Sequence, residues 1–382
     1  MKFIHLGDLH FGKHVNDFSM IEDQKYILEE ILALADRESV DGVFLAGDIY
    51  DRAVPSEEAV KLFDYFLTEL ASRGKLVFAV SGNHDSDQRL HFGSKLFLKN
   101  NIYIAGRYDG TVKCVDVEDE YGPLHIWLLP YIKASRVGHF FPDKNVSTYD
   151  AAFQTVVESC AINEAERNVM VLHQFVAGGS VEPDIAGSEI IMQSVGTIDQ
   201  VSYHCFDAFD YVAMGHIHSG QAVGRETCRY AGAPLKYSLN ERELKGEKSV
   251  PIVTFGEKGD VEVELFPLTP LREIRHIRGT LQDLLHNAVD TDDYIYATLT
   301  DEDPQLDALA RLQEVYPRVM KLDYDNAAIR AAANYDGAIE TDGKSFHELV
   351  ADFFKIYHGK EPQEGEWKII EEVAEEAGVS RV

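Results

Sequence analysis

The chain has 382 residues, more than one average domain, so two or three domains are expected. Its hydrophobic fraction of 45% is ordinary for a globular protein with a large core, and no apolar run approaches the roughly 18 residues of a membrane span. The net charge of −29 argues against a protein that binds nucleic acid through basic excess alone, so an anionic substrate would need metal ions or a local basic patch.

The first residues and the cysteines lead us to expect a cytoplasmic protein. A strand pattern starts at Lys2, which leaves no room for a signal peptide, and we expect no membrane association. The four cysteines are widely spaced and show neither metal-type nor redox-type pairing, which suits a reducing compartment.

Residues 1–110 alternate between strands and helices. Strands are predicted at Lys2–Gly7, Val43–Ala46 and Leu76–Val80, and helices at Ser19–Arg37 and Ser56–Ser72. Ser19 and Glu22 have the spacing of a capping box, and Ser56 is the expected cap of the second helix. This order predicts a mostly parallel sheet with helices on its faces.

From Thr111 onward the predicted strands are short and partly antiparallel. They are expected at Thr111–Val117, Leu124–Leu129, Val169–Leu172, Tyr211–Met214, Val250–Phe255 and Val261–Phe266, with a helix at Tyr149–Glu166. Together these strands predict a second sheet packed on the first. The fold class is therefore α/β, a two-sheet sandwich flanked by helices.

A domain boundary is predicted near residue 267, where Pro267 and Pro270 interrupt the pattern. We expect a first domain at 1–267, a small α/β capping domain at 268–325, a linker at 326–343 and a helical tail at 344–382. The tail is predicted to be a helix pair, with Ser345 and Glu348 as a capping box and the second helix ending near Ala377.

The apolar face of the tail has two possible uses. It can pack on its own domain, or dock into a groove on a partner protein, which the preceding linker favours. The candidates for that contact are Phe346, Leu349, Phe353, Phe354, Tyr357, Trp367 and Ile370.

Polar residues follow the ends of five predicted strands. They carry carboxylate, amide or imidazole groups: Asp8, His10, Asp48, Asp51, Asn83, His84, His173, His216 and His218. Ligand sites in open α/β sheets lie beyond the carboxyl ends of strands, so these side chains are expected to converge. Carboxylates mixed with imidazoles, without thiolate, suit Mn²⁺, Fe or Zn²⁺. Two such ions about 3.5–4 Å apart can clamp a phosphate for in-line displacement.

Within this set, Asp48 is the natural bridge between two ions. His84 would then stabilise the transition state or protonate the leaving oxygen, with Asp85 as the carboxylate that supports it. Taken singly, Asp8 would be an ordinary helix cap or loop residue and His173 an ordinary core histidine. Only the joint occurrence of all five blocks predicts a metal site.

These blocks resemble the motifs of the calcineurin-like metallophosphoesterase family. The matching elements are Asp-x-His at Asp8, Gly-Asp-x-x-Asp at Gly47, Gly-Asn-His-Asp at Gly82, the lone His173, and Gly-His-x-His at Gly215. All five occur in family order within Met1–Pro267. Further stretches, such as Leu129-Pro130-Tyr131, resemble the bacterial nuclease members of the family.

The resemblance implies a division of the ligands between two divalent ions, for which Mn²⁺ is expected. It assigns Asp8, His10, Asp48 and His218 to one ion, and Asp48, Asn83, His173 and His216 to the other. It implies a double-strand exonuclease and a hairpin or single-strand endonuclease for DNA ends in replication, recombination and repair. It also implies a homodimer that assembles with a coiled-coil ATPase into a heterotetramer.

Two details stay open beside this resemblance. Asp51 stands where the archaeal and eukaryotic relatives place a histidine, so it is expected either to orient ligands or to hold Arg52. Lys13, His14, Arg52 and Arg89 are candidates for contact with DNA, with a solvated surface as the alternative for each.

Two other functions use the same fold. The chain could be a stand-alone phosphatase or cyclic-nucleotide phosphodiesterase, although a small substrate requires neither capping domain nor tail. It could be a non-catalytic scaffold, against which the intact Asp48, Asn83 and His84 argue.

Overall fold

The computed structural model describes residues 1–178, 183, 193–194, 197–198, 200–303, 305–327, 329, 344–358 and 360–376. The chain divides into two compact units, Met1–Glu273 and Ile274–Val382. The predicted linker at 326–343 lies almost wholly outside the described residues, so the proposed boundaries around it stay predictions.

The first unit contains both strands and helices, which alternate at its start and are followed by runs of consecutive strands. Its strands are β1 (Lys2–Leu6), β2 (His14–Val15), β3 (Phe18–Ser19), β4 (Gly42–Ala46), β5 (Leu76–Val80), β6 (Ile102–Ala105), β7 (Lys113–Asp119), β8 (Gly122–Leu129), β9 (Arg167–His173), β10 (Val176–Ala177), β11 (Gln193–Ser194), β12 (Thr197–Ile198), β13 (Val201–Ser202), β14 (Tyr211–Gly215), β15 (Gln221–Val223), β16 (Arg225–Tyr230), β17 (Ser249–Phe255) and β18 (Val261–Pro267). Its helices are α1 (Ile21–Arg37), α2 (Glu57–Ser72), α3 (Asp87–His91), α4 (Ser94–Phe97), α5 (Ala134–Phe140), α6 (Tyr149–Glu158) and α7 (Glu241–Lys245), with 3₁₀ turns at Leu98–Asn100 and Tyr203–Phe206.

The first sheet has six strands in the order β18-β17-β1-β4-β5-β6. The strands β1, β4, β5 and β6 are parallel, as predicted. The assignment of β17 and β18 to the second sheet was wrong, because β17 pairs antiparallel with β1, with Ile4 opposite Ile252. This pairing satisfies the backbone groups of β1 on the side away from β4, which sequence pattern alone does not specify.

The second sheet has the order β15-β16-β14-β9-β8-β7 and is parallel except at its two edges. Side chains from both sheets form one hydrophobic cluster: Phe3, Phe44 and Phe78 from the first, and Leu124, Ile126, Leu128, Val169, Val171, Tyr211 and Ala213 from the second. Burying each phenylalanine contributes roughly 1.5–3 kcal/mol. The predicted two-sheet sandwich is therefore confirmed.

Helix boundaries differ from prediction where tertiary contacts compete. The capping box at Ser19 and Glu22 was wrong: α1 follows Met20 without a side-chain cap, and Ser19 pairs with His14 in a short hairpin. Ser56 caps α2 as predicted, accepting a hydrogen bond of 3.2 Å from the Ala59 amide.

Among its described residues, the second unit contains a small sheet with two short helices, followed by a further pair of helices. Its elements are β19 (Ile274–Gly279), α8 (Leu281–His286), β20 (Tyr294–Leu299), α9 (Ala308–Gln313), β21 (Val319–Tyr324), α10 (Phe346–His358) and α11 (Glu364–Glu376). The three strands are parallel, with β20 in the middle. Leu281, Ile295, Leu299 and Leu312 belong to the core of this sheet. The α/β element and the helix pair of the predicted fold are thus present.

The tail helices begin and pair through specific contacts. The predicted capping box is confirmed: the Ser345 amide donates to Glu348 Oε2 at 2.8 Å, and the Glu348 amide donates to Ser345 Oγ at 3.3 Å. The rings of His347 and Trp367 stack with centroids 4.7 Å apart, which joins α10 to α11. The predicted end near Ala377 falls just outside the described residues. Among the helices described, none is long and apolar enough to cross a membrane.

Candidate metal centre

The predicted ligands lie where the carboxyl ends of strands from both sheets meet. The Asp8 amide donates to the Gly47 carbonyl at 3.1 Å, which joins the segments after β1 and β4. A Cβ atom on Gly215, at the end of β14, would overlap the carbonyl oxygen of Ala46, and one on Gly82 would overlap the carboxylate of Asp48. The close approach of these strand ends therefore depends on glycine.

Four predicted ligands adopt a left-handed backbone that non-glycine residues seldom use. The φ angles are 54° at Asp8, 46° at His10, 47° at Asp48 and 108° at His216. Such conformations cost about 1–3 kcal/mol each and persist only where surrounding contacts over-determine them. Here the His10 amide donates to the Asp48 carbonyl at 2.9 Å. These four are among nine non-glycine residues with positive φ in the described part of the chain, so strain accompanies the predicted ligands without being confined to them.

The first ligand group contains Asp8, His10 and His218, all buried, with ligand atoms that lie close together. The Nε2 atoms of His10 and His218 lie 3.1 Å apart. Asp8 accepts hydrogen bonds of 2.9 and 3.1 Å from the backbone amide of His216, which fixes its carboxylate.

The second ligand group surrounds the side-chain oxygen of Asn83. His173 Nε2 lies 2.9 Å and His216 Nδ1 lies 3.0 Å from this oxygen. The other ring nitrogen of His173, Nδ1, donates to the Ala46 carbonyl at 2.9 Å. That contact places the Nε2 atom of His173 toward the group.

Asp48 lies between the two groups. Its Oδ2 atom is 3.3 Å from His173 Nε2 and 3.7 Å from His10 Nε2. Its Oδ1 atom accepts a hydrogen bond of 2.8 Å from the His84 backbone amide. The arrangement places one carboxylate against both groups, as a bridging ligand requires.

Burial and mutual contact set the charges of these groups. Burial lowers the pKa of His10 and His216 to about 3, and that of His218 well below its ordinary value. Burial opposes a charge on His173 too, but the charge of Asp48 and a hydrogen bond to it raise the pKa of His173 to about 9. His173 in turn holds the pKa of Asp48 below its usual range, although burial raises it.

The residues present fit two divalent cations. Neutral imidazole and ionised carboxylate are the forms that bind metal, and His10, His216, His218 and Asp48 already favour them. Two neutral rings that direct their Nε2 atoms to one point, as His10 and His218 do, form an arrangement that a shared cation stabilises. The oxygen and imidazole donors suit Mn²⁺, Fe or Zn²⁺.

His84 lies beside this cluster. Its ring centroid is 4.8 Å from that of His10, and its Nδ1 lies 2.8 Å from the backbone carbonyl oxygen of Asp51. A carbonyl oxygen can only accept, so Nδ1 carries the hydrogen and Nε2 is left for other partners.

The Asp85 carboxylate binds backbone amides and does not support the ring of His84 as predicted. Its carboxylate accepts hydrogen bonds from the backbone amides of Ile49 (3.1 Å), Tyr50 (2.9 Å) and Gly82 (2.9 Å). Asp85 therefore joins the segment after β4 to the turn after β5, and the Asp51 carbonyl orients His84 instead. Burial and the charge of Asp48 raise the pKa of Asp85 to about 6.

Asp51 lies near both of the groups that the sequence left open as its partners, the ligand candidate His10 and Arg52. Its Oδ1 atom lies 2.8 Å from Lys13 Nζ and 3.6 Å from His10 Nδ1, and its Oδ2 atom lies 3.6 Å from Arg52 Nε. Lys13 is mostly buried in this contact, whereas the Arg52 side chain is 78% exposed. The other DNA-contact candidates, His14 and Arg89, are also exposed.

Sequence reasoning missed two positioning residues, Gln24 and Tyr237. Gln24 Nε2 donates to the carbonyls of His10 (2.7 Å) and Leu9 (3.2 Å), and its Oε1 accepts from the Gly12 amide at 3.0 Å. Tyr237 donates to the Leu9 carbonyl at 2.7 Å. Gln24 is a polar residue on the apolar face of α1, three positions before Ile27, and that placement was the available signal.

The tail residues lie in the second unit, on α10 and α11. Phe346, Leu349, Phe354, Trp367 and Ile370 are partly buried, Phe353 is exposed, and the side chain of Tyr357 is outside the described set. The exposed apolar residues of the described tail also include Ile369 and Val373, which prediction did not select.

Comparison with known proteins finds family models that match parts of both units. Residues 1–220 match the family described as calcineurin-like phosphoesterase, and residues 270–357 match one described as type 5 capsule protein repressor C-terminal domain. The chain is 30% identical over 363 residues to the SbcD subunit of the nuclease SbcCD from Staphylococcus epidermidis, and the match covers 93% of both chains.

Two solved structures are similar at low identity. One is TT1561 of Thermus thermophilus, at 11% identity and a TM-score of 0.38, covering 69% of this chain and 98% of that one. The other is a dimetal phosphatase from Danio rerio, at 12% identity and a TM-score of 0.41, covering 70% of this chain and 96% of that one.

Proposed function

Since this chain belongs to the calcineurin-like phosphoesterase family, we propose that it is the metal-dependent DNA nuclease subunit of a complex with an SbcC-type coiled-coil ATPase. Its proposed reactions are exonuclease cleavage at double-strand ends and endonuclease cleavage of hairpins or single strands. The observation that carries the proposal is the convergence of Asp8, His10, Asp48, Asn83, His173, His216 and His218 beside His84.

The proposed cofactor is a pair of divalent ions, with Mn²⁺ as the metal. One ion would be held by Asp8, His10, Asp48 and His218, and the other by Asp48, Asn83, His173 and His216. When bound, such ions neutralise the phosphodiester and lower the pKa of the attacking water. The buried histidines and the strained backbone hold the ligand atoms in place before a substrate arrives.

His84 is the proposed catalytic residue that acts on the phosphodiester. The Asp51 carbonyl holds its Nδ1–H, so the ring presents Nε2 to the reacting group. In the imidazolium form, Nε2 donates a proton to the leaving oxygen or stabilises the charge that develops on the phosphate. Its backbone amide, which donates to Asp48, keeps the ring beside the bridging carboxylate.

Recognition of DNA is proposed to use cations at the rim of the centre. Lys13 and Arg52 lie next to Asp51, and His14 and Arg89 are exposed. With a net charge of −29, the chain has little overall attraction for a polyanion. This balance favours a subunit whose hold on DNA comes largely from its ATPase partner and from a second copy of the chain. Action in the cytoplasm during replication, recombination and repair follows from the same proposal.

The tail is the proposed contact with the ATPase. The similarity to the staphylococcal SbcD subunit extends over 93% of this chain, so it reaches into the second unit. The helix pair exposes apolar side chains at Phe353, Ile369 and Val373, which suits docking into a groove.

One experiment separates the nuclease from the two alternative functions. The purified chain and an SbcC-type ATPase are combined with Mn²⁺ and offered a DNA hairpin, p-nitrophenyl phosphate or a cyclic nucleotide. Asp48→Ala, which lacks the proposed bridging ligand, controls for contaminating nucleases.

The proposal expects cleavage of the hairpin by the wild type and none by Asp48→Ala. Cleavage of only the small phosphoesters would establish a stand-alone phosphatase or phosphodiesterase instead. If neither class of substrate is cleaved by the metal-loaded complex, the chain is a scaffold.

A further inference from the structure

A second cluster of metal-binding side chains lies on the other face of the second sheet, away from the sandwich core. On β7, Val115 is buried in the core between the sheets, so Cys114 and Asp116 point to the opposite face. On β8, Ile126 is buried in the same core, and His125 shares the face of Cys114. The register places Asp116 directly opposite His125.

The ligand atoms of these residues lie close together. Asp116 Oδ1 is 2.7 Å from His125 Nδ1 and 3.5 Å from Cys114 Sγ, and all three ligand atoms lie within 4.8 Å of one another. In a tetrahedral zinc site, Zn–S of about 2.3 Å and Zn–O of about 2.1 Å place sulfur and oxygen roughly 3.6 Å apart. The separation of the thiol and the carboxylate is close to that value, whereas the imidazole and the carboxylate form a hydrogen bond of 2.7 Å that the ion would replace.

A carboxylate lies beside the second ring nitrogen of His125, Nε2, as is common for imidazoles that bind a metal. Its Nε2 lies 2.9 Å from Glu166 Oε2, next to the start of β9. A carboxylate in this position fixes the ring and makes Nε2 carry the hydrogen, which leaves the lone pair of a neutral ring on Nδ1. Nδ1 is the atom that faces Cys114 and Asp116.

An ion pair alone would account for only part of this cluster. A protonated His125 between Asp116 and Glu166 explains the two short contacts of the ring. It does not require the thiol of Cys114 beside the same carboxylate oxygen. Thiolate, imidazole and carboxylate together form a donor set that favours Zn²⁺ and Co²⁺ over the hard cations Mg²⁺ and Ca²⁺.

We propose that Cys114, Asp116 and His125 form a site for Zn²⁺, separate from the two-metal centre, with water as the fourth ligand and Glu166 supporting the imidazole. The Asp116 side chain is 70% exposed, so both the ion and the water reach the site from solvent. Binding releases the proton of the Cys114 thiol to solvent as the sulfur–metal bond forms. The bound ion joins the edge strand β7 to β8.

Cobalt spectroscopy tests this site without interference from the two-metal centre. The full-length protein is freed of metal with a chelator under reducing conditions and then titrated with Co²⁺. A thiolate ligand gives an intense near-ultraviolet charge-transfer band, which the aspartate, asparagine and histidine ligands of the other centre cannot produce. The proposal expects this band in the wild type, its loss in Cys114→Ser and its loss or strong weakening in His125→Ala.

Matched measurements separate the site from other thiols and from folding effects. Cys205→Ser removes another partly accessible thiol and is expected to keep the band. After loading with Zn²⁺ and removal of excess metal, Cys114→Ser should hold one equivalent less than the wild type, with the same circular dichroism spectrum. A wild type without the band, or a band that survives Cys114→Ser, would overturn the proposal. Neither result depends on nuclease activity, so the proposed function stands or fails separately.

Discussion

The Nδ1 atom of His84 is held at 2.8 Å by the backbone carbonyl of Asp51, not by a carboxylate. A carbonyl does not titrate and does not depend on the side chain at its position, so this contact fixes the ring over a wide range of pH. The same histidine donates its backbone amide to Asp48. The His84 ring and the carboxylate of the proposed ligand Asp48 are therefore held by two different backbone groups.

This independence makes His84→Ala a selective change. We expect it to lower kcat for DNA cleavage by about 10²–10⁴-fold, the usual contribution of a general acid or base. Metal content should be unchanged, because the amide that supports Asp48 belongs to the backbone. Cleavage rates and metal analysis of the purified variant measure both.

His286→Ala, at an exposed histidine of the second unit to which no role is assigned, is the control and should retain metal and the cleavage rate. Equal cleavage by His84→Ala and the wild type would contradict the role of His84.

Gln24→Leu tests the support behind His10. The variant loses the hydrogen bonds from Nε2 to the His10 and Leu9 carbonyls and keeps a side chain of similar size on α1. We expect metal affinity to fall about 10–100-fold, as for other residues that orient ligands. Metal titration followed by calorimetry measures the change.

Lys25→Ala, on the exposed side of the same helix, should bind metal like the wild type. An unchanged affinity in Gln24→Leu would show that the backbone after β1 holds its shape without this glutamine.

Gly82→Ala tests the close approach of the strand ends. The new methyl group would overlap the Asp48 carboxylate and backbone nitrogen, so Asp48 or the turn must move. We expect loss of bound metal and a free energy of unfolding lowered by more than about 2 kcal/mol. Gly365→Ala is the control, since its added methyl group meets nothing within 4 Å. Full metal loading of Gly82→Ala would refute the steric argument.

A pH-dependent contribution to stability is expected from Asp119. Burial raises the pKa of its carboxyl, but hydrogen bonds from Arg167 and the N-terminal amine outweigh burial and hold the pKa well below its usual range. The folded state therefore binds fewer protons than the unfolded state near pH 3. The stabilisation is present above the unfolded pKa of about 3.9 and is lost as the pH falls below it.

Asp119→Asn should accordingly lower the free energy of unfolding by about 3 kcal/mol at pH 7, because the buried Arg167 loses its counter-ion. The difference in the free energy of unfolding between the variant and the wild type should become smaller as the pH falls from about 5 to about 2. Urea unfolding at each pH, followed by tryptophan fluorescence, measures this difference. Both proteins also carry Trp367→Phe, so that the signal comes from Trp127. A difference that does not change with pH would rule out this linkage.

The exposed apolar side chains of the tail are expected to bind the ATPase. Phe353, which is 48% exposed, is the candidate, and Phe353→Asp should weaken association about tenfold or more. Lys355→Ala, at an exposed polar position on the same helix, should leave the association unchanged. Titration calorimetry with the ATPase measures both. Association that survives removal of residues 344–382 would exclude the tail as the docking element.

Much of the fold was predictable because its signals are local. The periods of apolar residues in β1, α2 and β5 identify each element, and the capping residues Ser56 and Ser345 act within one turn of helix. The partner of β1 was not predictable, because β17 lies far away along the chain and its pattern suits either sheet. The predicted capping box of α1 was wrong because Ser19 pairs with His14 in a hairpin instead.

The sequence by itself determined which side chains are the candidates for metal binding and catalysis. Carboxylates and imidazoles follow apolar strands, and strand ends of an α/β sandwich meet at one edge, so Asp8, Asp48 and His173 were recognisable without coordinates. Only the tertiary structure decided what supports them. Asp85 binds backbone amides, the Asp51 carbonyl orients His84, and Gln24 reaches across from α1. Such contacts depend on how closely distant backbone segments approach. They cannot be inferred from residue types, because nearly every residue carries the same backbone N–H and C=O groups.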